Sequence, residues 1–226
     1  MTDTVRLVAS CQLGLEFVVL KELNHKRPGC SPRARPGGVL FDCPLADVAA
    51  LKLSSPEGLY ALVAEAEGLP TQDADGAWFS ETPPPAETWL KAAVDASLDT
   101  GGRFEAALRA WRAAFAELGE QPAGFSARAV RYGNHSYRRQ AIERAVGGQV
   151  NVRTGWKVNL HAPELLLYVE CRIESLESGK GQLGGGAHQS EGRSTLLLCI
   201  ALRTQTQNAA RRAALKPRYL LQDPCC

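Results

Sequence analysis

The chain has 226 residues, 45% of them hydrophobic and 22% charged, with a formal net charge of +2. These values are typical of a globular protein of one large or two small domains and exclude a disordered or fibrous chain. No apolar run approaches the roughly 18 residues of a membrane-spanning helix, and the N-terminal MTDTVRLVAS lacks the apolar segment of a secretory signal, so neither is expected.

The first part of the chain predicts alternating strands and helices. Three short apolar segments, the first of which mixes β-branched and other apolar residues, predict strands, and two segments with apolar residues at helical spacing predict helices. This β-α-β-α-β order indicates an α+β domain of ferredoxin-like type over residues 1–67. In chain order the elements are a strand at 5–11, a helix marked by Leu13, Phe17 and Leu20, a strand at 39–43, a short helix opened by Pro44, and a strand at 59–66.

A polar, proline-rich segment at 68–85 predicts a linker, and two helices follow it. Apolar residues recur along the second helix at spacings of four and three, which predicts a face packed in the core rather than a cofactor site. This stripe consists of Phe104, Leu108, Trp111, Phe115 and Leu118.

The elements after residue 124 complete a second domain, predicted at 86–205. They are a strand at 125–130, a helix that ends near Gly155, and strands at 165–173 and 195–202. A glycine-rich segment at 177–193 predicts a flexible insertion between the last two strands, and residues 206–226 form a tail.

Charge is strongly segregated along the chain. Residues 44–120 carry 13 acidic and 5 basic side chains, whereas residues 121–157 carry 7 basic and 1 acidic. A folded basic surface with interleaved aromatic rings is typical of a nucleic-acid interface; the alternative is the solvated charged face of an ordinary helix. The interleaved aromatic residues are Tyr132, Tyr137 and Trp156, the last of which we expect to be a core anchor beneath the turn at Gly155.

Motifs for catalysis, metal binding or cofactor binding are not found. Gly179, Gly181 and Gly184 satisfy G-x-G-x-x-G, but no helix pattern follows them, so the match is rejected. The four histidines are dispersed and lack partners at metal-ligand spacing. Seven scattered cysteines without a C-x-x-C pair indicate reduced thiols, and therefore a cytoplasmic or nuclear protein.

Several segments resemble the THUMP-domain RNA methyltransferases that modify guanosine at N2. The similarity is carried by the strand at 125–131, the helix that ends in Gly147-Gly148, and the turn GWKVNL at 155–160. SCQLGLEFVVLKEL at 10–23 and LKLSSPEGLYALV at 51–63 are similar to the ferredoxin-like domain that precedes THUMP in those enzymes. The resemblance implies a ferredoxin-like domain followed by an α/β THUMP domain with a mixed sheet, which together grip RNA.

In this family a Rossmann-like domain binds S-adenosylmethionine and methylates the RNA, and a small zinc-binding activator subunit accompanies it. Here Asp223-Pro224-Cys225-Cys226 resembles the beginning of the first methyltransferase motif. The chain is therefore expected to lack a complete methyltransferase domain, and to bind transfer or small nuclear RNA without catalysing its modification.

Residues 121–157 are called the basic segment. The residues predicted to contact RNA come from it, since guanidinium groups bind phosphate and aromatic rings stack on unpaired bases. The alternative is a protein-interaction module, docking through the acidic helices at 86–118 or the glycine-rich insertion, or a non-catalytic RNA-binding adaptor. The predicted contacts are Arg128, Arg131, Arg138, Arg139, Arg153 and Lys157, with Tyr137 as a stacking platform.

Overall fold

A computed structural model gives the arrangement of most of the chain. Most of the predicted linker, nearly all of the glycine-rich insertion and the predicted tail lie outside the described residues. The residues that the structure describes are 3–70, 85–99, 102–133, 135, 137–174 and 193–204.

The strands of this part of the chain form a single mixed sheet. They are β1 (Thr4–Ser10), β2 (Arg33–Arg35), β3 (Gly38–Pro44), β4 (Gly58–Glu67), β5 (Phe125–Tyr132), β6 (Leu165–Glu174) and β7 (Arg193–Thr204). Their order in the sheet is β2-β3-β1-β4-β7-β6-β5. Neighbouring strands are antiparallel except β5 and β6, which are parallel. The sheet is continuous from the first segment of the chain to the last strand, because β4 pairs with β7.

Four α-helices cover one face of the sheet. Together with the sheet they confirm the predicted α+β class. The short helix predicted after Pro44 is a single 3₁₀ turn at Leu45–Asp47. Strand β2 was not predicted, because its sequence Arg-Ala-Arg has no apolar alternation. The helices are α1 (Glu16–Lys26), α2 (Pro85–Asp99), α3 (Arg103–Ala114) and α4 (Arg139–Thr154).

The predicted helix α1 is present from Glu16, but of the three residues that mark it in the sequence only Leu20 packs against the core. Leu13 lies before the helix and is 76% exposed, and Phe17 is 65% exposed. Val19 and Leu23 pack into the core instead. The carboxylate of Glu16 accepts hydrogen bonds from the backbone N–H groups of Gly14 and Gly37, which fixes how the helix is rotated against the sheet.

The main core lies between the helices and the sheet, as the apolar stripe of α3 predicts. Leu108, Trp111 and Phe115 are buried there, together with Leu90 and Val94 of α2. A second, smaller cluster lies on the opposite face of the sheet. It includes the stacked rings of Tyr60 and Tyr168, whose centroids are 4.4 Å apart.

The sheet curls strongly around this second cluster. Strands β2 and β6 are separated by four other strands in the sheet. Nevertheless Nη2 of Arg35 in β2 lies 2.5 Å from Oε1 of Glu170 in β6. Arg172 donates a hydrogen bond to the same carboxylate oxygen at 3.1 Å and another to the carbonyl of Pro36 at 3.0 Å. We call Arg35, Glu170 and Arg172 the closure cluster, because it joins the two distant strands across the curled face.

Glu22 anchors the segment before β4 to α1, and it should make stability depend on acid pH. Burial would raise its pKa, but hydrogen bonds from Lys26, Ser55 and Ser54 outweigh that effect and lower the pKa to about 2 from 4.5. A depressed carboxylate pKa contributes stability above pH 4.5 that is lost as the pH falls toward 2. We expect the free energy of unfolding of wild type to exceed that of Glu22→Gln by roughly 2 to 3 kcal/mol at pH 6.

Urea titrations at several pH values test this assignment. The difference between the two proteins should stay nearly constant from pH 6 to about pH 5 and shrink from there to pH 3, since protonation removes the charge that the variant lacks. A difference that is constant over this range would contradict the assignment.

Candidate nucleic-acid interface

Strand β5 and helix α4 position the basic segment at one edge of the sheet. β5 is the edge strand, and α4 runs back along it, so the two ends of the helix carry two separate groups of cations. With 16 residues, α4 is about 24 Å long. The predicted contacts therefore do not form one compact cluster but extend along the β5–α4 edge.

The first group lies where β5 ends and α4 begins. Arg131 is exposed and donates a hydrogen bond to the carbonyl of Tyr137. Arg138 is the N-cap residue of α4 and Arg139 its first residue; the helix has no side-chain cap and no acidic residue in its first turn. The uncapped N–H groups and the two guanidinium groups make this end of the helix electropositive.

The loop between β5 and α4 is filled by its own aromatic side chains. Tyr137 is only 3% exposed, and its hydroxyl lies 3.1 Å from Nδ1 of His135. His135 is itself buried, which lowers its pKa, and its Nε2 lies 3.2 Å from the carbonyl oxygen of Tyr132. The predicted stacking role of Tyr137 is thus not supported by its position, because its ring is packed in the core.

The second group lies at the C-terminal end of α4. Gly155 ends the helix in the left-handed conformation, with φ of 71°, and its N–H binds the carbonyl of Asn151. Trp156 packs beside Phe104 and Phe125, with centroids 5.8 and 6.2 Å away, which confirms its predicted role as a core anchor. Lys157 is left exposed, and its carbonyl accepts a hydrogen bond from the N–H of Phe125.

The predicted contacts differ in how far their charge is already neutralised. Arg139 lies 3.3 Å from Glu143, and Arg153 bonds to Asp95 and Asp99 of α2. Those two aspartates belong to the acidic helices of the alternative interpretation, and here they bind a residue of the same chain. Within the part of the chain that the structure describes, no acidic partner is found for the exposed cations Arg128, Arg138 and Lys157.

An exposed aromatic residue that sequence reasoning had not assigned lies in the same region. Tyr132 ends β5 and is 39% exposed, and the guanidinium carbon of Arg172 lies 4.1 Å from its ring centroid. Its position among basic residues was visible in the sequence. Which of the two tyrosines is exposed was not, because burial depends on how the loop folds back.

The THUMP domain family matches residues 104–176, which include all seven predicted contacts. The chain therefore contains a THUMP domain at these residues. The predicted divisions at 1–67, 68–85, 86–205 and 206–226 stay predictions. The search of curated proteins finds no match.

Several solved structures are similar to this chain, and TrmN shares its fold. TrmN from Thermus thermophilus is 20% identical with a TM-score of 0.52; the match covers 93% of this chain and 51% of TrmN. PH1313 from Pyrococcus horikoshii is 12% identical, with a TM-score of 0.42 and coverage of 87% and 55%. A 4-thiouridine synthetase in complex with RNA and ATP is 14% identical, with a TM-score of 0.42 and coverage of 87% and 41%. The chain thus spans about half the length of TrmN.

The described residues were also considered for membrane-spanning helices, metal ligands and disulfide bonds. None of their helices has the length and apolarity needed to cross a membrane. No group of three or more His, Cys, Asp or Glu side chains there could hold a metal ion. The five cysteines that they include, at 11, 30, 43, 171 and 199, are free thiols.

Proposed function

We propose that this chain is the RNA-recognition part of an S-adenosylmethionine-dependent RNA guanosine N2-methyltransferase acting on transfer or small nuclear RNA. The observation that carries the proposal is the THUMP domain at 104–176, whose edge presents exposed arginines and a lysine without acidic partners in the described structure. Cations of this kind can bind phosphate without first giving up an internal partner, so they supply the affinity for a polyanion.

The segments Trp89-Leu90-Lys91 and the Trp111 helix favour THUMP domain-containing protein 2 among the family members. Because such a subunit accompanies the enzymes that this chain resembles, we propose a small zinc-binding activator subunit as a partner of the whole enzyme. Free thiols are consistent with a nuclear or cytoplasmic location, which is also part of the proposal.

The described residues do not fit S-adenosylmethionine. The parallel strand–helix–strand unit β5–α4–β6 has Arg138 rather than glycine just before its helix, and His135 and Tyr137 fill the loop. A cofactor of this type needs a glycine-rich turn with room beside the helix N-terminus. We therefore propose that the chain binds RNA and that methylation requires a separate methyltransferase domain.

Salt-dependent RNA binding tests the proposal. A hairpin RNA with a single-stranded 3′ overhang should be retarded at physiological salt. Arg128→Ala, Arg138→Ala and Lys157→Ala should each weaken binding and reduce the slope of log K against log salt by up to about one. Arg139→Ala and Arg153→Ala should reduce it less, since Glu143, Asp95 and Asp99 already neutralise those cations.

Lys52→Ala is the matched control. Lys52 is also exposed, and its side chain has no ion pair in the described structure, but it lies outside the THUMP match. This variant should leave affinity and slope unchanged. Absence of RNA retardation by wild type would instead support the protein-interaction module. Equal effects of Lys52→Ala and Arg138→Ala would contradict the proposed interface.

A further inference from the structure

Tyr132 combines three properties that the other aromatic residues of the basic segment lack. It is 39% exposed, whereas Tyr137 and Trp156 are 3% and 9% exposed. It lies on the same face of β5 as Arg128, four residues and therefore about 13 Å away. It also directly precedes the turn that leads to Arg138.

The guanidinium group of Arg172 lies against one face of the Tyr132 ring, and its own contacts hold it there. Tyr132 and Arg172 are paired across β5 and β6, and the guanidinium carbon lies 4.1 Å from the ring centroid. Arg172 is 8% exposed and is bound to Glu170 and to the carbonyl of Pro36. The closure cluster thus supports the ring, and this cation–π contact orders the Tyr132 side chain before any ligand binds, which lowers the entropy cost of binding.

The backbone on both sides of the ring is fixed as well. The carbonyl of Tyr132 lies 3.2 Å from Nε2 of His135. Gly133 turns the chain with φ of 92°, and a Cβ there would lie 2.9 Å from Cβ of Ile173. The ring is therefore presented at a constant position at the end of the edge strand, beside a surface rich in exposed arginines.

We propose that the solvent-exposed side of the Tyr132 ring is a stacking platform for an unpaired base of the bound RNA. This inference rests on the proposed RNA-binding function and adds a preference for single-stranded nucleotides. A ring held between a guanidinium plane and a base needs no hydrogen bond to the base, so the platform accepts any base rather than selecting a sequence.

The test compares a hairpin RNA with a 3′ overhang, the same hairpin with abasic overhang residues, and a blunt hairpin. Stacking on an aromatic side chain corresponds to about a 5- to 100-fold change in affinity. Wild type and Tyr132→Phe should prefer the overhang with bases by a factor in this range. Tyr132→Ala should lose the preference and keep the salt slope of wild type, unlike Arg138→Ala.

Tyr132→Leu provides the same readout if the alanine variant has a lowered melting temperature, because leucine keeps an apolar contact with Arg172 but has no ring. Full preference for the overhang in both variants would overturn this inference alone. An equal loss of affinity for all three RNAs would also overturn it, by showing that Tyr132 acts only on the fold. Failure of wild type to bind any of them would overturn the proposed function.

Discussion

Glu170→Gln should lower the free energy of unfolding by about 3 to 5 kcal/mol, because it leaves two guanidinium groups, on side chains that are only 12% and 10% exposed, without their counter-charge. Glu170 is 4% exposed and binds both Arg35 and Arg172. An amide has the same shape and still accepts a hydrogen bond, but it cannot neutralise the two cations. Urea unfolding at pH 7, followed by tryptophan fluorescence, measures the loss.

Asp42→Asn makes the same chemical change in a surface pair. Asp42 bonds to Arg6 with both side chains about half exposed, at 54% and 53%. Pairs of this kind contribute less than about 1 kcal/mol. If the two variants lost the same free energy of unfolding, the closure cluster would stabilise the curled sheet no more than an exposed ion pair does.

Trp111→Ala should be comparably destabilising, by about 3 to 5 kcal/mol, because it removes the largest side chain that is fully buried among the described residues. Trp111 lies on α3 between the helix and the sheet, beside Phe115 with ring centroids 6.0 Å apart. The small alanine would leave a cavity that neighbouring elements can close only in part. Thermal and urea unfolding both report the loss.

Trp111→Phe separates two contributions of this side chain to the free energy of unfolding, that of its packing and that of its buried indole N–H. The indole N–H of Trp111 is buried and finds no hydrogen-bond partner in the part of the chain that is described. Removing an unsatisfied donor offsets some of the lost packing, so this variant should cost about 2 kcal/mol less than Trp111→Ala. If the phenylalanine variant were as unstable as the alanine variant, the indole N–H would have to be satisfied.

The elements that the sequence predicted correctly are those with a strong local pattern. The apolar runs of β6 and β7 and the stripe on α3 leave little freedom, because burial of those residues dominates the energy. Gly155 likewise marks the end of α4, since its positive φ suits glycine. The THUMP resemblance rested on the same segments and was matched at 104–176.

What the sequence could not predict depends on distant parts of the chain. Strand β2 exists because β3 pairs with it, and the pairing of Arg35 with Glu170 requires the sheet to curl. In α1 the run Phe-Val-Val-Leu allows more than one apolar face, and contacts of Glu16 decide between them. Tyr132 and Tyr137 each have an arginine beside them in the sequence, so only the path of the loop decides which ring is exposed.

The pairing of β4 with β7 has a consequence for how the protein folds. Ala66 pairs with Leu196, so the last described strand in the chain occupies a central place in the sheet, between β4 and β6. During synthesis β4 must keep one edge unpaired until β7 has been made. Contacts so distant in sequence form slowly, and an open strand edge invites mispairing. Completion of the sheet is therefore expected to be a late folding step, in which β7 inserts between two preformed halves.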